Sequence, residues 1–273
     1  LTGIDQEETI LLLYPPSKDD KTREILFIRK SDNHTKVWEG EKLSKKQANE
    51  LSGINSIYFI DDFKDILSSI ATKVDTFYIN KNEHYRANSP VETREDRFIS
   101  WLLKKYPAHN VAKSNPILQR QRSIKHPDEI DQIKKACDIT RKGFNRVLEF
   151  IKPNVWEYEI EAEFIHEFIN SSSKGFAYSP IIASGNDNNV LHYIKNNKQC
   201  KSGELILMDV GAEYGNYSSD MTRTVPVSGK FSKRQKEIYN AVLRVKNEAT
   251  KLLTVGNNWK IFHEQVGEIM TKE

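Results

Sequence analysis

The segment LILMDVGAEYGNYSSDMTRTVPV, residues 205–227, decides the fold because its pattern is typical of two β-strands joined by a tight turn. Leu205–Val210 is apolar on both faces except at Asp209, which predicts a buried strand. Ser218–Val227 is a second β-prone run, and the YGN tripeptide between the two runs contains residues that tolerate positive φ. The segment therefore predicts a β-hairpin that carries Asp209 on one strand and Asp220 on the other.

The register of the turn decides how Asp209 and Asp220 are placed. If the loop is the YG dipeptide, the two aspartates lie directly opposite each other, with Cβ atoms roughly 4.5–5.5 Å apart. If the loop is the GN dipeptide, they are diagonal neighbours on the same face. In either register, two buried carboxylates this close need a shared proton or a cation. The hairpin therefore indicates a divalent-metal site, with a surface role or an ion pair as the structural alternative.

A histidine upstream of the hairpin, His192, lies in the stretch SPIIASGNDNNVLHYIKNN. Pro180–Ala183 predicts a short strand, SGNDNN a loop, and Val190–Ile194 a return to β-structure. A histidine flanked by apolar residues is commonly a core residue with satisfied hydrogen bonds. If its strand ends near the aspartate pair, the imidazole could instead bind substrate or move a proton.

The remaining sequence predicts an alternating pattern of strands and helices, typical of an α/β domain with a largely parallel or mixed sheet. Val111–Arg122 is interpreted as a connector, and the HPDE sequence at 126–129 as the start of a long helix. The predicted strands are Ile10–Tyr14, Ile25–Arg29, Ser56–Ile60 and Thr76–Ile79, and the predicted helices lie at about 44–52, 62–72, 93–105 and 156–170.

Three stretches together resemble the pita-bread metallopeptidases, and within them the Xaa-Pro aminopeptidases (aminopeptidase P). They are KHPDEIDQIKKACDIT at 125–140, FAYSPIIASGNDNNVLHYIKNN, and GELILMDVGAEYGNYSSDMTRTVPVSGKFSKRQKEIYNAVL. The resemblance implies an α/β, creatinase-like N-terminal domain at 1–118. It also implies a partial α+β pita-bread catalytic domain at 123–273.

The same resemblance implies a centre with two divalent ions, foremost Mn²⁺, with Co²⁺ or Zn²⁺ as alternatives. Asp209 corresponds to the first metal ligand of the family, and Asp220 to the second, which bridges both ions. His192 corresponds to a catalytic residue that also binds substrate. Tyr178 falls in a stretch that borders the substrate pocket in relatives, and a core aromatic residue is the alternative for it.

The later ligands of the family, one His and two Glu, find no match after Val227. His263 lies at helical spacing among apolar residues, which predicts a helix-surface position. The chain also opens on Leu1, without a methionine. We therefore expect a fragment, a processed form or an incomplete record of a longer protein, and we expect the chain by itself to be inactive.

The amino-acid composition argues against two classes of partner, membranes and nucleic acids. Of the 273 residues, 38% are hydrophobic and 29% charged, enough for a folded core. No run approaches the roughly 18 apolar residues of a membrane span, so no membrane partner is expected. The net charge of +3 is too small to indicate nucleic acid, and two cysteines make no disulfide framework. We expect a cytoplasmic enzyme that forms, as the resemblance suggests, a homodimer or higher homo-oligomer.

The function implied by the resemblance is metal-dependent release of the N-terminal residue from peptides whose second residue is proline. Three alternatives remain open. An Xaa-Pro dipeptidase (prolidase) performs the same chemistry on dipeptides. A pita-bread protein without metals, such as creatinase, keeps the fold but is not a peptidase. A metal-free binding module is the alternative that is not an enzyme.

We predict that the isolated 1–273 polypeptide binds Mn²⁺ weakly or not at all and does not cleave an Xaa-Pro peptide. A tight site needs several converging donors in fixed geometry, and two carboxylates offer too few. Isothermal titration with Mn²⁺ and a proline-peptide assay measure both properties. Micromolar binding at two sites together with turnover would contradict the prediction.

Overall fold

The buried strand β2 (Glu24–Ile28) organises the first of two units into which the chain divides, residues 1–123 and 124–273. The computed structural model describes residues 2–81 and 90–273. Side chains from β2 point alternately to two cores: Ile25 and Phe27 pack in one, and Leu26 and Ile28 in the other. This explains the continuous apolar sequence of the strand, since a strand buried on both faces has no polar side.

Strand β2 is the centre of a mixed sheet, antiparallel to β1 (Ile10–Leu13) and parallel to β3 (Ser56–Phe59). A separate parallel pair joins β4 (Thr76–Ile79) to β5 (Asn110–Lys113). The helices of this unit are α1 (Asp20–Arg23), α2 (Asn33–Glu39), α3 (Lys45–Ser52), α4 (Phe63–Ala71), α5 (Arg94–Lys105) and α6 (Asn115–Ser123).

The predicted strands and helices of this unit are confirmed to within one residue at their ends, and the mixed sheet is confirmed as well. The connector predicted at Val111–Arg122 is wrong, because this stretch contains most of β5 and α6. The short strand β5 is half-exposed or exposed along its length and lacks a clear apolar alternation. Helix α2 was not predicted, since its apolar residues Val37 and Trp38 are exposed and mark no buried face.

The second unit packs two long helices against antiparallel strands. Strand β8 lies between β7 and β11 in one three-stranded sheet, and β9 lies between β6 and β10 in another. The elements are α7 (Pro127–Phe150), α8 (Glu157–Asn170), β6 (Gly175–Phe176), β7 (Ile181–Ser184), β8 (Leu205–Val210), β9 (Ala212–Tyr214), β10 (Tyr217–Ser218), β11 (Met221–Pro226), α9 (Lys233–Lys251) and α10 (Trp259–Lys272).

The core of the second unit forms where α7 and α8 meet the inward face of β8. Its fully buried members include residues from all three elements: Val147 from α7, Phe164 and Phe168 from α8, and Ile206 and Met208 from β8. This core gives the strand that carries Asp209 a fixed support. Within the described residues, no helix is long and apolar enough to cross a membrane.

Gly143 allows the close crossing of α7 and α8. A Cβ added at Gly143 would lie 2.7 Å from Phe168 Cε1 and 3.0 Å from Phe164 Cδ1. Two buried aromatic rings therefore occupy the space that any larger residue would need.

We predict that Gly143→Ala lowers the free energy of unfolding by about 1–3 kcal/mol, because the added methyl group overpacks this crossing. Gly267→Ala on α10 is the matched control, since a Cβ there meets no heavy atom within 4 Å. The control should be neutral or stabilising by up to about 1 kcal/mol, the helix-propensity gain of alanine over glycine. Urea unfolding measures both variants, and an equal response of the two would contradict the prediction.

Candidate metal centre

The β8–β11 hairpin adopts the second of the two predicted registers. Tyr214 pairs with Tyr217, so Gly215 and Asn216 form the two-residue loop. Their φ angles are 58° and 66°, which is the left-handed conformation that a type I′ turn requires at both positions.

This turn fixes the positions of the two aspartates. Asp209 is paired with Thr222 across the strands. Asp220, two residues before Thr222, is thus a diagonal neighbour of Asp209 on the same face of the hairpin. The GN loop is therefore confirmed, and the directly opposed arrangement is wrong.

A buried hydroxyl pair ties α7 to the hairpin beside the aspartates. The side chains of Thr140 on α7 and Ser219 share a hydrogen bond of 2.6 Å. The backbone N–H of Ala212 donates to both hydroxyl oxygens, at 2.9 and 3.0 Å. The hydroxyl of Ser219 also lies 3.0 Å from the Ala212 carbonyl oxygen. These bonds fix the point where β8 passes into β9, between the two carboxylates.

Gly211 makes this junction possible. A Cβ on Gly211 would lie 1.8 Å from the carbonyl oxygen of Ser219, which is backbone and cannot rotate away. The two strands therefore approach more closely here than any other residue would permit.

Tyr178 joins the two carboxylates directly. Its hydroxyl oxygen lies 2.6 Å from Asp209 Oδ1 and 3.1 Å from Asp220 Oδ1, with the phenol as the donor. Burial and the hydrogen bond to Asp209, together with the charges of both carboxylates, raise the pKa of this phenol well above its ordinary value. Tyr178 consequently stays protonated and continues to donate. The structure thus brings together three of the four predicted site residues.

The position of Tyr178 follows from a break between two short strands. β6 pairs with β9, and β7 pairs with β8, so the chain between them spans the junction of the two sheets. The backbone N–H of Ala177 donates to the Gly211 carbonyl oxygen at 2.8 Å, which holds the residue before Tyr178 at this junction.

His192, the fourth predicted residue, lies on a loop with an exposed side chain. The strand predicted at Val190–Ile194 is wrong: a 3₁₀ turn at Gly185–Asn189 is followed by irregular backbone. The buried-core alternative is wrong as well, because the next residue, Tyr193, is the buried one, with 8% exposure. Among the residues that the structure describes, His192 makes no hydrogen bond with Tyr178, Asp209 or Asp220.

Sequence reasoning missed the polar residues that support these groups. Thr140, Ser219, Glu157 and Asn196 are all buried, with exposures of 5% or less, and each bonds to a segment distant in sequence. For Thr140 a sequence signal existed, because it is a polar residue among the core-facing positions of a predicted helix. No local pattern distinguished the other three.

The chemistry of the pair suits a hard divalent cation. Two carboxylates on one face offer anionic oxygens, the donors that Mn²⁺ and Mg²⁺ accept readily. The shared phenol proton partly offsets their repulsion. Across residues 2–81 and 90–273, no three His, Cys, Asp or Glu side chains converge as a ligand set. Asp209 and Asp220 therefore fit such an ion as two members of a larger ligand set.

Comparison with known proteins identifies relatives over both units. The family model of the aminopeptidase P N-terminal domain matches residues 1–78, and the family model of metallopeptidase family M24 matches residues 131–273. The Xaa-Pro aminopeptidase of Haemophilus influenzae is 32% identical over 100% of this chain and 60% of its own length. That of Escherichia coli K12 is 30% identical over 98% of this chain and 60% of its own length. The chain thus spans about 60% of the curated relatives that it matches.

Solved structures of aminopeptidase P are similar to this chain as well. Aminopeptidase PepP of Pseudomonas aeruginosa superimposes with a TM-score of 0.88 at 28% identity, over 99% of this chain and 61% of that one. Zinc-substituted Escherichia coli aminopeptidase P in complex with product gives 0.86 at 29% identity, over 99% and 62%. These matches confirm the predicted fold class, a creatinase-like α/β domain followed by a pita-bread domain that is covered in part. The chain belongs to metallopeptidase family M24, because the model of this family matches more than half of the chain's residues.

Proposed function

We propose that this chain is part of a metal-dependent aminopeptidase that releases the N-terminal residue from peptides with proline in second position. The observation that carries the proposal is the convergence of Asp209 and Asp220 on the hydroxyl of Tyr178. The names of the curated relatives support the substrate class, since they are Xaa-Pro aminopeptidases. We also propose a cytoplasmic homodimer or higher homo-oligomer as the working form.

In the proposed enzyme, Asp209 and Asp220 hold part of a centre with two divalent ions, most simply Mn²⁺. When bound, such ions act as Lewis acids and lower the pKa of water toward neutrality. Tyr178 orients the two carboxylates through its shared hydrogen bond. The hydroxyl pair Thr140–Ser219 keeps the strand junction between them rigid.

His192 has a separate role in this proposal. Its ring is exposed on a loop and carries no bond to the carboxylate pair, which leaves it available to a peptide. We propose that it hydrogen-bonds substrate near the scissile amide and moves a proton there.

Two other functions make different predictions. A prolidase would prefer an Xaa-Pro dipeptide over a tripeptide, so the ratio of the two kcat/KM values distinguishes it. A binding module would hold proline peptides without hydrolysing them. The metal content of the complete protein decides between this module and the proposed metalloenzyme.

We predict that Tyr178→Phe weakens Mn²⁺ affinity of the complete protein about tenfold, because removal of a group that orients a ligand commonly has this effect. Tyr214→Phe, on the hairpin that carries the two aspartates, is the matched control. Its ring lies 5.1 Å from Lys135 Nζ, a contact that phenylalanine retains. Isothermal titration measures both affinities, and equal affinities would show that Tyr178 is only a packing residue.

Asp220→Ala and His192→Ala should separate metal binding from catalysis in the complete protein. We expect Asp220→Ala, and likewise Asp209→Ala, to lose bound metal and turnover together. His192→Ala should lower kcat by roughly 10²–10⁴-fold, the usual contribution of a proton-transferring group, with metal stoichiometry unchanged. Elemental analysis and an Xaa-Pro peptide assay provide the two readouts.

Retention of metal and turnover by the double variant Asp209→Ala/Asp220→Ala would rule out the proposed centre. Loss of metal from His192→Ala would make His192 a ligand, and unchanged kcat would remove it from the mechanism.

A further inference from the structure

The carboxylate of Glu157 is completely buried at the first turn of α8 and accepts four hydrogen bonds. Its Oε1 accepts from the backbone N–H and the hydroxyl of Ser184, at 2.7 and 2.8 Å. Its Oε2 accepts from the hydroxyl of Tyr193 at 2.8 Å and from the backbone N–H of Lys198 at 3.0 Å. Each carboxylate oxygen thus has two donors.

These donors enclose the loop that carries His192. Ser184 ends β7 before the loop, Lys198 follows it, and Tyr193 is the residue directly after His192. The side chain of Tyr193 is directed inward to Glu157, whereas the neighbouring side chain of His192 is exposed.

A second anchor lies one helical turn farther along α8. Asn196 accepts from the backbone N–H of Ile182 at 3.0 Å and donates to Glu161 Oε2 at 2.9 Å. It also donates to the Pro180 carbonyl oxygen at 3.0 Å, and its φ of 44° marks a sharp change of direction. The loop is therefore attached to α8 on both sides of residue 194.

The charge of Glu157 suggests a purpose beyond stability. The groups that donate to it are neutral, and the head group of Lys198 donates elsewhere: its Nζ lies 2.9 Å from the Ser184 carbonyl oxygen. A buried carboxylate is expensive to desolvate, and apolar packing of the same volume often stabilises a fold equally well. A carboxylate fixes the relative positions of separate segments, because it accepts hydrogen bonds from several of them at once. Burial, followed by the bond to Glu157, raises the pKa of Tyr193 to about 12, so its hydroxyl remains a donor.

We propose that Glu157 is a positioning residue for His192: by holding Ser184, Tyr193 and Lys198 on one carboxylate, it sets where the His192 ring stands. This inference rests on the proposed function, in which His192 meets the peptide. Glu157 itself touches no substrate.

Kinetics of the complete, metal-loaded protein provide the first test. In either orientation, the NH₂ group of glutamine in place of Glu157 faces one backbone N–H and one hydroxyl. The hydroxyl can turn and accept from it, but the backbone N–H loses its acceptor. We expect Glu157→Gln to lower kcat roughly ten- to hundredfold, the effect of a small displacement of a reacting group, with metal stoichiometry unchanged. Glu163→Gln is the matched control on the same helix, where Glu163 pairs with Arg146 far from the loop in sequence. It should keep the wild-type kcat.

A double-mutant cycle tests whether Glu157 acts through His192. If it does, Glu157→Gln should not lower kcat further in a protein that already carries His192→Ala. The same fold-loss in both backgrounds would show a purely structural role and would overturn the proposal.

Nuclear magnetic resonance of the histidine rings provides a readout that needs no activity. In the metal-free protein, the ¹H–¹³C signal of His192, assigned from His192→Ala, should shift and broaden in Glu157→Gln but not in Glu163→Gln. Should Glu157→Gln fail to fold, Tyr193→Phe removes a single hydrogen bond and should produce the same change. An unchanged His192 signal in a folded variant overturns the inference. Absence of Xaa-Pro hydrolysis by the wild type would instead refute the proposed function, and the ring signal would still decide the role of Glu157.

Discussion

The convergence of Asp209 and Asp220 on the hydroxyl of Tyr178 is the interaction on which the candidate site depends. Two carboxylates on one face of a hairpin oppose the pairing that brings them together. The structure offsets this with a phenol shared between them and with a buried hydroxyl pair at the strand junction. Each device includes a residue from outside the hairpin, Tyr178 from the segment between β6 and β7 and Thr140 from α7. The site is therefore a property of the whole unit.

The same arrangement separates two kinds of chemistry. Asp209 lies on β8, which the α7–α8 core supports, and Asp220 directly precedes β11, which suits groups that must hold an ion in fixed geometry. His192 lies on a loop, where a ring can adjust to a peptide. Its freedom is nonetheless limited, because Tyr193 and Asn196 fasten the loop to α8 on either side.

The aspartate pair was predictable from sequence because period-2 alternation puts alternate residues of a strand on one face. The choice between two registers was not, since both YG and GN can form the turn, and the pairing of Tyr214 with Tyr217 resolves it. The contact of Tyr178 with both aspartates depends on how β6 and β7 pair with distant strands, and local patterns carry no such information. In the first unit, β2 was predicted well because it is apolar on both faces, whereas β5 carries too weak an alternation. The strand expected around His192 is wrong, and the irregular backbone there is bonded to a buried glutamate 35 residues earlier, which no local pattern indicates.

Gly211 shows that a position without any functional group can tolerate as few substitutions as a metal ligand. Its missing side chain is what lets the Ser219 carbonyl oxygen pass so close, and even the smallest addition would push the two aspartates apart. A survey of tolerated substitutions along this hairpin would therefore rank Gly211 beside Asp209, although it supplies neither charge nor hydrogen bond from a side chain. Intolerance to mutation along this hairpin thus has two physical origins, chemistry at the carboxylates and simple lack of room between them.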